Sequence, residues 1–105
     1  MSFVKVTNLD NLWSGEMKGF SVAGKKVLLV NRNGEVVAFG DKCCHKGVPL
    51  SGGELKGNVL TCSAHHWQYD VTDGRGINPA NVQLEAFDVK IEKGEILVDV
   101  GDKEN

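Results

Sequence analysis

Apolar residues recur along the chain in short alternating or continuous stretches, at 3–6, 17–22, 26–30, 35–39, 58–61, 66–69, 87–91 and 95–100. Each stretch has the length of a strand, and an α-helical period is weak throughout, so the pattern predicts an all-β chain of many short strands. Glycine punctuates these stretches at short intervals, as turns between strands require. Asn33-Gly34 and Lys93-Gly94 each separate two β-rich runs and tolerate positive φ, which predicts two tight hairpins. Residues 8–13 fit either a single helical turn capped by Asn8 or a plain loop. Trp13 and Trp67 are read as core residues.

The strand pattern lapses between Asp41 and Asn58, where Gly47, Pro49, Gly52, Gly53 and Gly57 replace the β-branched residues. The lapse predicts a long irregular loop, and loops of such length are uncommon unless functional. This one opens with Cys43-Cys44-His45, and the strand that follows it ends at Cys62-Ser63-Ala64-His65.

Composition narrows the reading further. A chain of 105 residues with 41% apolar content suits one domain over residues 1–105, and a bound metal centre would add stability to so small a core. A formal net charge of -2 with no block of like charge argues against nucleic acid as a partner. The first residues do not resemble a leader peptide, and the longest aliphatic run, 27–30, is far too short for a membrane span. The expected location is the cytoplasm. Three cysteines are an odd number for a disulfide framework, and their closeness to His45, His65 and His66 points to metal.

Cys43-x-His45 and Cys62-x-x-His65, with sixteen residues between the two motifs, offer two thiolates and two imidazoles from two loops. Such a mixed set suits an iron-sulfur cluster or tetrahedral zinc. Structural zinc sites usually pair like with like, each turn supplying two cysteines or two histidines. Here each loop supplies one of each. That arrangement favours a 2Fe-2S cluster in which one iron takes both thiolates and the other both imidazoles, with a zinc module as the lesser alternative. Cys44 and His66 offer shifted ligand sets, but only Cys43 and His65 keep both spacings.

These motifs, followed by Trp67 and Asp70, resemble the Rieske family over nearly the whole chain. Leu50-Ser51 with Gly53 and Gly57 resembles the family's connection between its cluster loops, and Pro79 resembles the proline of a third loop covering the cluster. The resemblance implies a small antiparallel β-barrel or sandwich with a cluster-binding subdomain, about residues 41–80, at its tip. Met1-Ser2-Phe3, the stretch 10–17 and Gly76-Ile77-Asn78-Pro79 are similar to the ferredoxin components of toluene and o-xylene monooxygenases. That likeness implies a monomeric electron carrier between an NADH-dependent flavin reductase and a diiron hydroxylase of aromatic rings, docking transiently with each. A ring-hydroxylating dioxygenase is the alternative recipient.

The resemblance also carries departures and details. Cys44 stands where many relatives have proline, and His66 where many have glycine. High-potential relatives carry an interloop disulfide and a serine hydroxyl at positions matching Val48, Ala64 and Trp67, which can supply neither. The expected reduction potential therefore lies low in the span of roughly -150 to +300 mV open to such centres. Tyr69 matches a tyrosine that bonds a ligand thiolate. The histidine ligands are expected to face solvent, ringed by Lys46, Gly47, Val48, Pro49, His66, Trp67 and Pro79 as a docking surface. An oxygenase with its own mononuclear iron is disfavoured, because only His66 remains once two histidines hold the cluster.

Overall fold

In the computed structural model, residues 3–41, 49–63, 66–78 and 80–100 are described. Ten strands follow in order: β1 Val4–Asn8, β2 Met17–Val22, β3 Lys25–Arg32, β4 Glu35–Gly40, β5 Glu54–Lys56, β6 Val59–Thr61, β7 Gln68–Asp70, β8 Arg75–Asn78, β9 Ala86–Glu92 and β10 Glu95–Asp99. They form a six-stranded antiparallel sheet, ordered β1-β10-β9-β4-β3-β2, and a four-stranded one, ordered β5-β6-β7-β8. The two edges of the larger sheet, β1 and β2, approach each other, so it curls into a nearly closed barrel. The chain is thus all-β, as the strand pattern predicts.

The aliphatic run in β3 shows why the two sheets stack. Side chains alternate between the faces of a strand. Val27 and Leu29 enter one core with Leu12, Val36, Ala38, Ile96 and Val98, whereas Leu28 and Val30 enter a second with Phe39, Leu60, Tyr69 and Val71. A strand buried on both faces reads as a continuous apolar run. The first core fills the barrel, and the second glues its outer wall to the four-stranded sheet.

The predicted hairpins are present. Asn33 and Gly34 have φ of 54° and 94°, and Lys93 and Gly94 have 51° and 77°, the doubly positive pattern of a two-residue turn that matches strand twist. A third such turn, Ala23-Gly24 between β2 and β3, escapes sequence reading because alanine seldom adopts φ of 51°. Residues 9–11 make one 3-10 turn, and the Asn8 side chain makes no capping bond to it.

Two expectations need correction. The region 41–58 is not loop throughout: a 3-10 turn, Leu50–Gly52, and β5 lie within it. Trp13 is not core but 69% exposed. Of the adjacent pair, Leu12 takes the buried place, while the Trp13 indole N–H donates to the Asp10 carbonyl and its backbone N–H to Glu16 Oε1, each at 2.8 Å.

Candidate metal centre

Strand register decides which loops meet. In the four-stranded sheet Glu54 pairs with Thr61, Thr61 with Gln68, and Gln68 with Asn78, so four strand ends lie side by side along one margin. The exit from the first ligand-bearing segment, both ends of the second and the entry to the third loop all open there. Cys43, Cys44, His45, Lys46, Gly47, Val48, Ala64, His65 and Pro79 lie outside the described residues. Their flanking residues converge on this margin from three stretches of sequence.

Cys62, the described member of the ligand set, is fully buried in the core shared with Leu60 and Tyr69. Its backbone N–H donates to the Trp67 carbonyl at 2.8 Å, tying the residue after β6 to the residue before β7. His66 has φ 55°, the left-handed region in which a side chain costs energy and glycine does not. This explains physically why a glycine suits the position. His66 and Pro49 are exposed at the margin. Trp67 is half-buried and packs against the second core, in keeping with its core reading.

Tyr69 is the largest fully buried side chain. Among the described residues no buried side-chain nitrogen or oxygen lacks a hydrogen-bond partner, its hydroxyl included.

Two close approaches tie the segments together, and neither has a sequence signature. Asp41, at the exit of β4, is 5% exposed and accepts two bonds across ten residues: Ser51 N–H to Oδ1 and Ser51 Oγ–H to Oδ2, both at 2.8 Å. Gly19 on β2 permits this, since a Cβ there would run into Asp41 Oδ2 and lie 2.8 Å from Ser51 Oγ. Gly53 lies directly against the carbonyl of Thr61, the residue before Cys62, where a Cβ would collide with backbone. The first segment is thus pinned at its two ends and its exit pressed onto the start of the second.

At the far end of the sheet Asp70 accepts bonds from Thr72 Oγ1 at 2.6 Å and Thr72 N–H at 2.9 Å. These bonds, aided by the positive charges of Arg32 and Arg75 and opposed by partial burial, hold its carboxyl below the usual carboxylate range. Asp70 therefore serves the scaffold beneath the centre rather than the centre itself.

The donor chemistry fits a sulfur-ligated group. A cysteine buried in apolar surroundings is costly to ionise unless a metal takes its thiolate. Cys62 sits in such surroundings at the margin where the Cys43 and His45 segment is anchored.

Comparison with known proteins agrees. The family described as Rieske [2Fe-2S] domain matches residues 2–88. The ferredoxin component of the alkene monooxygenase system of Xanthobacter autotrophicus is 44% identical over 99 residues, covering 93% of this chain and 81% of that protein. The ferredoxin of carbazole 1,9a-dioxygenase from Nocardioides aromaticivorans superposes with a TM-score of 0.86 at 30% identity, covering 93% of this chain and 97% of that one. A chain in a complex of reduced oxygenase and oxidized ferredoxin of carbazole 1,9a-dioxygenase superposes at 0.87 with 26% identity, covering 98% and 97%.

Proposed function

Because the chain belongs to the Rieske [2Fe-2S] family, we propose that it is a ferredoxin that holds one 2Fe-2S cluster through Cys43, His45, Cys62 and His65 and carries single electrons to an oxygenase. The observation that carries this reading is the convergence of strand ends at one margin, where Cys62 is buried and the Cys43 and His45 segment is anchored. Bound there, the cluster supplies a one-electron couple, and neutral imidazoles in place of two thiolates make the added charge easier to accept. The four-stranded sheet, within residues 41–80, acts as the cluster-binding subdomain, and residues 1–105 form one domain around it.

The chain's own residues seat and present the group. Tyr69 and Trp67 pack in the core beneath it and Pro49 and His66 are exposed beside it, and in this reading Lys46, Gly47, Val48 and Pro79 complete the docking rim. A small interface suffices for transient docking, so one face serves both donor and acceptor in turn. The donor is an NADH-dependent flavin reductase and the acceptor a multicomponent diiron monooxygenase of the toluene and o-xylene type. The alkene monooxygenase relative supports that acceptor, and the carbazole dioxygenase ferredoxins support a dioxygenase as the second reading. Among the described residues no helix is long and apolar enough to cross a membrane. Our reading of the chain as a transiently docking electron carrier takes it to be a cytoplasmic monomer.

Two measurements test this. Substituting serine for Cys43 or Cys62, or alanine for His45 or His65, abolishes the visible absorption and the electron-spin signal of the reduced protein. A full signal in any of the four removes that residue from the ligand set. Reconstituted turnover then separates the acceptors: efficient support of a dioxygenase alone overturns the monooxygenase assignment.

A further inference from the structure

Asp41 stands at the mouth of the ligand-bearing segment, and each of its carboxylate oxygens accepts a hydrogen bond. Both oxygens accept from one residue, Ser51, through its backbone N–H and its hydroxyl, and the carboxylate is almost completely withdrawn from solvent. Its own backbone N–H donates to the Lys26 carbonyl at 3.0 Å, fixing it to β3. The absence of a side chain at Gly19 leaves the space these groups occupy. Bonds that charge a buried acceptor from two donors are among the stronger ones a protein makes. This latch closes the chain on both sides of Cys43 and His45.

Covalent geometry places the latch near the ligands. One residue, Lys42, separates Asp41 from Cys43, so their Cα atoms are no more than about 7.6 Å apart. A carboxylate charge beside the ligand-bearing segment, in protein that screens it less than water does, opposes the addition of an electron to the centre.

We propose that Asp41 is a positioning residue of the metal centre: through Ser51 it latches the segment bearing Cys43 and His45, and its fixed charge lowers the reduction potential. The inference rests on Cys43 and His45 being ligands. It assigns a role to a residue outside the ligand set and outside the rim.

The test uses the intact, cluster-loaded chain with Asp41→Asn, Ser51→Ala and, as control, Cys43→Ser. Iron release to a chelator reads the latch, and the reduction potential and electron-spin g-values read the charge and ligand geometry. Ser51→Ala, which loses one bond and keeps the charge, releases iron about tenfold faster, the cost of one charge-assisted bond. Asp41→Asn releases it at least as fast and moves the potential to a more positive value, which Ser51→Ala does not. Wild-type release rates in both variants, or an Asp41→Asn potential that is unchanged or more negative, overturn the proposal. A positive shift of equal size in both variants overturns it too, since loosening alone then accounts for the effect. Should Asp41→Asn fail to fold, Ser51→Ala decides: unchanged release and unchanged g-values overturn the latch. If Cys43→Ser keeps the full signal, the ligand assignment fails instead, and the control separates that failure from this one.

Discussion

Gly53 abuts the backbone carbonyl of Thr61 with no room for a Cβ between them. Thr61 precedes Cys62, and Gly53 ends the 3-10 turn that follows the Asp41 latch, its N–H donating to the Leu50 carbonyl at 2.9 Å. Backbone on one side and backbone on the other leave little freedom to yield. Gly53→Ala is expected to destabilise the chain by about 1–3 kcal/mol, the usual cost of forcing an extra methyl into packed structure. It also lowers iron content per chain, because Thr61 can retreat only by moving Cys62. Urea unfolding and iron analysis check both, and a variant with unchanged midpoint and unchanged iron refutes the close approach.

His66 pays for its left-handed backbone. His66→Gly removes the side-chain penalty, of order 1 kcal/mol, at some cost in unfolded-state entropy, so a net gain of up to about 0.5 kcal/mol is expected. His66→Val, β-branched at the same φ, is destabilised instead. Comparing the three unfolding midpoints tests this: a valine variant as stable as the glycine variant rules out the assigned backbone.

Tyr69 is buried beside Cys62 in one core, and its hydroxyl is satisfied. Tyr69→Phe keeps the ring and loses one hydrogen bond, worth about 1 kcal/mol of stability. If that hydroxyl donates toward ligand sulfur, the potential falls as well, since hydrogen bonds to sulfur favour the reduced state. A potential equal to wild type leaves Tyr69 a packing residue only.

Asp70 gives the chain an acid-sensitive element remote from the centre. Its folded-state carboxyl is depressed, first by the Thr72 hydroxyl bond and then by the Thr72 N–H, so the ionised form stabilises the fold. That contribution is complete above the unfolded value near ~3.9 and disappears as pH falls through the lower folded value. Asp70→Asn is therefore less stable than wild type at neutral pH, and the gap narrows below about pH 4. Because both proteins share the centre, their difference cancels its own acid response. A gap that stays constant from pH 7 to pH 3 contradicts the assignment.

Local signals were sufficient for much of this protein. Short alternating or continuous apolar stretches located eight of the strands, and Asn33-Gly34 and Lys93-Gly94 located two hairpins, because both depend on near neighbours in the chain. The short strands β5 and β8 were missed: Glu54–Lys56 and Arg75–Asn78 offer three and four residues with little alternation, and they are strands because β6 and β7 pair with them. Trp13 was misplaced for a related reason. Apolar character marks both Leu12 and Trp13, and only the packing of the barrel chooses which is buried.

The ligand types and their spacing stand in the sequence because the chemistry of a metal centre restricts which residues can serve. Their meeting place does not. It depends on strand register, which aligns Glu54, Thr61, Gln68 and Asn78 across one margin, and on backbone approaches such as Gly53 to Thr61 and Gly19 to the Asp41 and Ser51 pair. Those relationships join residues far apart in the chain, where no local preference acts, and only the folded sheets bring them within reach.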